Sequence, residues 1–74
     1  MGLGPEASTI IRIPRDDSSE LILKTGVYWK IPVADIRWYS NGNPTKKGIR
    51  VNMDELKQLT TALKTMLGDL DESN

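Results

Sequence analysis

Neither cysteine nor histidine occurs anywhere in this chain of 74 residues. Without cysteine there is no disulfide and no zinc-thiolate site to reinforce a small fold. Without histidine the chain lacks the usual general base, the commonest metal ligand and the basic partner of a Ser/His or Cys/His nucleophile. An enzyme would have to rest on carboxylates such as Asp54 and Glu55, and a capping role at a helix N-terminus already accounts for those. The expectation is a protein with no catalytic residues, no metal and no cofactor. Long apolar runs are missing too. Nothing approaches the roughly 18 residues of a membrane span, and the N-terminus lacks the basic start and apolar core of a signal peptide. A soluble, intracellular protein is expected, nuclear in a eukaryote or cytoplasmic in a bacterial or phage-infected cell. A chain this short makes one domain and buries a modest share of its apolar surface, so association with a second copy is the expected reinforcement.

What is present is unevenly placed. The formal net charge is zero, yet Lys24, Lys30, Arg37, Lys46, Lys47 and Arg50 face a single acid, Asp35, in the segment 24–50. The same segment holds every aromatic ring of the chain: Tyr28, Trp29, Trp38 and Tyr39. Both flanks are acidic. Cations interleaved with flat rings suit a groove for single-stranded nucleic acid, the cations for phosphates and the rings for unstacked bases. The bland alternative is a sheet with an aromatic core and solvated lysines behind it.

Residues 1–8 are rich in Gly and Pro and read as a flexible arm. Thr9 to Ile13 and Glu20 to Thr25 are strand-like, with turn residues and two acids between them, which predicts a hairpin. Val27 to Ile31 alternates after Gly26, and Pro32 is expected to end that strand. In Val33 to Ser40, Ala34, Ile36 and Trp38 share one parity while Asp35, Arg37 and Tyr39 share the other. Asn41-Gly42-Asn43-Pro44 predicts a reversal, and Lys46 to Val51 returns with Ile49 and Val51 inward and Lys46 and Arg50 outward. Gly48 in mid-strand signals a bulge or a close approach. Asn52 and Glu55 form the capping-box pattern of a helix start. Leu56, Leu59, Leu63, Met66 and Leu67 then recur at helical spacing, with Gly68 placed to stop the helix and an acidic tail over 69–74.

Asp35-Ile36-Arg37-Trp38-Tyr39, a polar turn, Lys46-Lys47-Gly48-Ile49-Arg50-Val51-Asn52 and a helix opening at Asp54-Glu55 together resemble the positive cofactor four family of transcriptional coactivators. Bacterial and phage proteins share that fold. The resemblance runs over residues 21–67 and is sharpest from Asp35 to Leu59. It implies an α+β fold: a curved four-stranded antiparallel sheet, to which residues 9–19 could add a strand, then one C-terminal helix. It also implies a homodimer whose sheets form channels for single-stranded DNA, with no catalytic chemistry. Arg37 and Tyr39 match the groove-facing arginine and aromatic of the family strand, and Lys46 and Lys47 match the basic pair that contacts the nucleic-acid backbone. Trp38 and Ser40 depart from the pattern, since the family commonly has a polar residue at the first and an aromatic at the second.

The candidate nucleic-acid site is therefore Lys24, Tyr28, Lys30, Arg37, Tyr39, Lys46, Lys47 and Arg50 on a domain spanning residues 9–68. Its expected ligands are single-stranded DNA, RNA and melted duplex, bound with little sequence preference in transcription, replication or recombination. Against Arg37, Lys46 and Lys47 stands a plainer role: Arg37 could be paired with Asp35 or a helix acid, and Lys46 and Lys47 could simply guard a sheet edge. By parity with Val27, Ile31 and Ile36, Trp29 and Trp38 belong to a core or interface, leaving Tyr28 and Tyr39 to stack on bases. Leu56, Leu59, Leu63, Met66 and Leu67 are the candidate dimer interface. The competing reading is a dimeric adaptor that recruits transcription or replication proteins and has no nucleic-acid affinity of its own.

Overall fold

Four strands and one helix follow one another along the chain: β1 (Ser8–Pro14), β2 (Ser19–Tyr28), β3 (Ile31–Ser40), β4 (Asn43–Asn52) and α1 (Met53–Glu72). The computed structural model describes residues 8–72, and their side chains as far as residue 68. Each strand pairs antiparallel with the next, in the order β1-β2-β3-β4. This is the α+β sheet-then-helix arrangement expected, with the segment from Thr9 supplying β1. Ser8, assigned to the arm, belongs to that strand; the rest of the arm lies outside the described residues.

The chain departs from expectation between residues 26 and 32. Val27 to Ile31 is not a strand of its own. β2 continues through Gly26 to Tyr28, the chain reverses at Trp29-Lys30, and β3 starts at Ile31 and passes through Pro32. Pro32 is tolerated because it lies one step from the Tyr28↔Ile31 pair that closes the hairpin, and the β3–β4 ladder begins only at Val33↔Asn52. No ladder bond there requires its missing N–H. Trp29 and Lys30 have φ of 52° and 65°, the left-handed pair of a two-residue type I′ turn. Each costs about 1–2 kcal/mol for a residue carrying a Cβ. The β3–β4 hairpin makes the same reversal with Asn41 and Gly42, φ 52° and 82°, the residues that tolerate it best. Between β1 and β2, the Asp16 carboxylate accepts from the backbone N–H of Ser18 (2.9 Å) and Ser19 (2.7 Å). Those hydrogen bonds hold its pKa below the ordinary carboxylate value.

Register sorts the side chains into two faces. Ile11, Ile13, Leu21, Leu23, Ala34, Ile36, Trp38, Ile49 and Val51 share the apolar one. The opposite face carries Arg12, Glu20, Ile22, Lys24, Tyr28, Asp35, Arg37, Tyr39 and Arg50. Among the described residues only Ile22, Val33 and Ala34 are buried apolar side chains. Ile22, 1% exposed, sits on the polar face with Arg12 and Arg37 directly across from it; long cationic side chains beside an apolar one bury it with their methylene stems. Ile11, Ile13 and Ile49 on the other face remain about half exposed.

β4 is bulged opposite Trp38: the pairs Arg37↔Gly48 and Tyr39↔Pro44 leave three residues facing one. A Cβ on Gly48 would lie 2.5 Å from the Ile36 carbonyl oxygen and 2.7 Å from Arg37 Cα. Both obstacles are backbone, so the close approach read from the sequence is real and only glycine fits. Gly48→Ala is expected to lower stability by about 3 kcal/mol, the upper range for overpacking, read as a fall of about 12–24 °C in the unfolding midpoint. An unchanged midpoint would mean that β4 can slide away from β3 at little cost.

The helix starts as its sequence dictates. Glu55 N–H donates to Asn52 Oδ1 (2.8 Å) and Asn52 N–H to Glu55 Oε1 (2.9 Å), closing the capping box. α1 packs against β3 and β4, half burying Leu56 and Leu59. It does not stop at Gly68, as expected, but continues to Glu72. A glycine inside a helix costs only about 1 kcal/mol relative to alanine, which does not by itself end one. Leu63, Met66 and Leu67 on the outer turns stay exposed.

Candidate nucleic-acid interface

Alternation along β2 and β3 and the return of β4 place Lys24, Tyr28, Arg37, Tyr39 and Arg50 on one face of the sheet. These five come from positions far apart in sequence, and antiparallel register alone assembles them. Asp35 organises the centre. Its carboxylate, 5% exposed, accepts from Arg37 Nε at 3.0 Å and Nη2 at 3.1 Å, and from Arg50 Nε at 3.2 Å. Arg37 Nη1 also donates to the Thr45 carbonyl at 2.8 Å. The pairing of Arg37 with Asp35, raised as its plainer role, is therefore present. The hydrogen bond to Asp35 raises the Arg37 pKa further above its ordinary value, so its charge is permanent. Holding Arg37 does not remove it from the surface. It lines a hollow of about 410 Å³ with Pro44, Thr45, Lys46 and Arg50, three cations around one depression.

Rings and cations pair on the same face. The Arg50 guanidinium lies 4.9 Å from the centre of the Tyr28 ring, and Lys24 Nζ lies 5.3 Å from that of Tyr39. Such contacts fix a flexible cation beside a flat ring. Arg12 and Glu20 form an ion pair at 2.9 Å at the β1–β2 edge, one that solvent largely screens.

Lys46 and Lys47 part company. Parity with Gly48 and Arg50 keeps Lys46 beside the arginines, whereas Lys47 lines a second hollow of about 330 Å³ with Arg15, Trp38, Tyr39 and Thr45. Thr45 borders both hollows. Its hydroxyl donates to the Trp38 carbonyl at 2.7 Å and accepts from Lys47 N–H at 3.2 Å, which pins the bulge. Arg15 was not singled out in sequence, and its guanidinium carbon stands 3.9 Å from the centre of the Trp38 ring. A turn residue can meet a ring two strands away only through the register, so no local signal could have revealed it.

Lys30 occupies the β2–β3 turn beside Trp29. Trp29 does not lie in the core that parity offered as one of its places: it is 81% exposed, because the reversal falls on Trp29 itself and breaks the alternation with Val27 and Ile31. Of the five helix residues assigned to a dimer interface, Leu56 and Leu59 are half buried, while Leu63, Met66 and Leu67 are about half exposed. Among the described residues no cluster of three or more metal-ligating side chains occurs, no helix is long and apolar enough to cross a membrane, and no buried side-chain nitrogen or oxygen lacks a hydrogen-bond partner.

Comparison of the chain with family models, with curated proteins and with solved structures returned no significant match.

Proposed function

We propose that this protein binds single-stranded nucleic acid, DNA foremost, with little sequence preference, and that it does so as a homodimer acting in transcription, replication or recombination. One observation carries the reading: a single sheet face gathers Lys24, Arg37, Lys46 and Arg50 around hollows and beside the rings of Tyr28 and Tyr39. Cations meet phosphates, and aromatic rings beside them meet bases, whatever the sequence. The likeness of residues 21–67 to the positive cofactor four family supports the same ligand and the same dimer. RNA and melted duplex offer the same chemistry.

Self-association has support from the apolar side chains that the described residues leave exposed. Ile11, Ile13, Ile49, Leu63, Met66 and Leu67 supply apolar surface for it. Sedimentation at micromolar protein is expected to report about twice the 8.3 kDa chain mass; a monomer would leave this apolar surface without a partner.

The test of function is fluorescence anisotropy with a labelled oligonucleotide at low and moderate salt. Binding to a single strand should exceed binding to the duplex of the same sequence and weaken steeply as salt rises. Silence at both salts would reject the reading. It would favour an adaptor that docks other proteins, for which the exposed isoleucines of β1 are the supporting feature.

A further inference from the structure

Two hairpins of this sheet make the same two-residue reversal with different residues. At Asn41-Gly42 the sequence suits the backbone; at Trp29-Lys30 it does not, because both side chains sit on a left-handed backbone that favours Asn and Gly. The strained turn holds an indole out in solvent, 81% exposed and the most exposed large apolar side chain among the described residues. Core packing does not account for it, and the following hairpin, at the opposite end of the sheet, makes the same reversal with residues suited to it.

The surroundings of the indole indicate what it meets. Trp29 stands edge-on to Tyr28, ring centres 6.1 Å apart and planes at 72°. Tyr28 is in turn covered by Arg50, which lines the hollow with Arg37 and Lys46. A run of cation, ring and ring thus leads from that hollow to the hairpin tip. Lys30 adds a charge at the tip, and no acidic residue occurs from Lys24 to Ala34. An apolar protein surface would gain nothing from this cationic setting, whereas a polyanion bearing flat aromatic groups uses both features.

We propose that Trp29 is a stacking platform for an unpaired nucleobase, so that a strand crossing the polar face extends past Arg50 and Tyr28 and ends against the hairpin tip. This rests on the single-strand reading above and adds a contact that reading does not require. A preformed turn that holds the ring in place leaves less conformational freedom to lose on binding, which is the benefit set against the strain.

The test uses the full chain and a thymidine homo-oligonucleotide. Trp29→Asn removes the ring, keeps every charge and puts a residue suited to the turn in its place. Its thermal midpoint should stay level or rise, while affinity falls by about 5- to 150-fold, the range of one base stack. The slope of log affinity against log salt should not move, because no ionic contact is lost. In Trp38→Phe, which leaves Trp29 as the sole indole, emission should be quenched as oligonucleotide is added. Unchanged affinity in Trp29→Asn, or indole emission indifferent to bound oligonucleotide, would overturn the platform while leaving single-strand binding in place. If the parent protein binds no oligonucleotide at all, both readings fall together. Emission that responds to dilution of the protein alone, and not to oligonucleotide, would overturn the platform by assigning the tip to a contact between copies.

Discussion

Replacing Lys46 and Lys47 together by alanine is expected to cut affinity for a single strand about 60-fold at about 50 mM salt and to flatten the log-log salt slope by about 1.4, as two lost phosphate contacts require at about 0.7 each. The two effects are linked. Each neutralised phosphate releases counterions, and the advantage of releasing them fades as bulk salt approaches molar. The substitution should therefore be severe in dilute buffer and nearly silent in concentrated salt. The structure adds that the two lysines are unequal: Lys46 shares its hollow with Arg37 and Arg50, while Lys47 lies beside Arg15 and Trp38. A strand confined to the polar face loses most from Lys46→Ala alone. Equal losses from the two single substitutions would mean that the strand also wraps the β3–β4 edge through the second hollow. Anisotropy titrations over a salt series measure both quantities, and an unchanged slope in the double variant would end the proposal that these lysines meet phosphates.

Asp35→Asn is expected to lower stability by about 3 kcal/mol, the lower range for removing one member of a buried charge pair. For a domain of this size that is about 12–24 °C in the unfolding midpoint. The carboxylate is 5% exposed and is held by two guanidiniums, at 3.0 Å from Arg37 and 3.2 Å from Arg50. An amide of the same shape would leave those cations facing each other over a neutral group, with at least one N–H forced to find water. Their side chains are 19% and 25% exposed, so water relieves part of the repulsion and keeps the cost from reaching the upper range. Thermal unfolding followed by circular dichroism decides it. An unmoved midpoint would show that the arginines hold their places without the carboxylate.

The helix start, the alternation of β3 and the Asn41-Gly42 reversal were legible because each is encoded within a few residues. Asn52 and Glu55 find each other through one helical turn, and the parity of Asp35, Arg37 and Tyr39 follows from the pleat. Gly48 could be read as a close approach because a glycine amid strand formers weakens the strand unless another backbone comes near. Only the bulge opposite Trp38 revealed what it approaches. The β2–β3 boundary was misread for a physical reason. Gly26 and Pro32 are local punctuation, and both were absorbed into longer strands because neighbouring ladders secure the backbone there. The actual turn fell on Trp29 and Lys30, which carry no turn preference. Its cost is met by the strand pairing on either side.

Sequence by itself determined the elements and the chemistry available to them: no thiol or imidazole, one strongly basic and aromatic segment, a sheet followed by a helix whose first turn is specified to the residue. Tertiary structure alone decided which of those groups meet. It gave Asp35 both Arg37 and Arg50, set Arg15 over Trp38, separated Lys46 from Lys47 and left Trp29 in solvent. Those outcomes depend on register between strands and on where a reversal falls. A shift of one residue exchanges the faces of a strand, and no stretch of sequence read singly contains the partner that settles it.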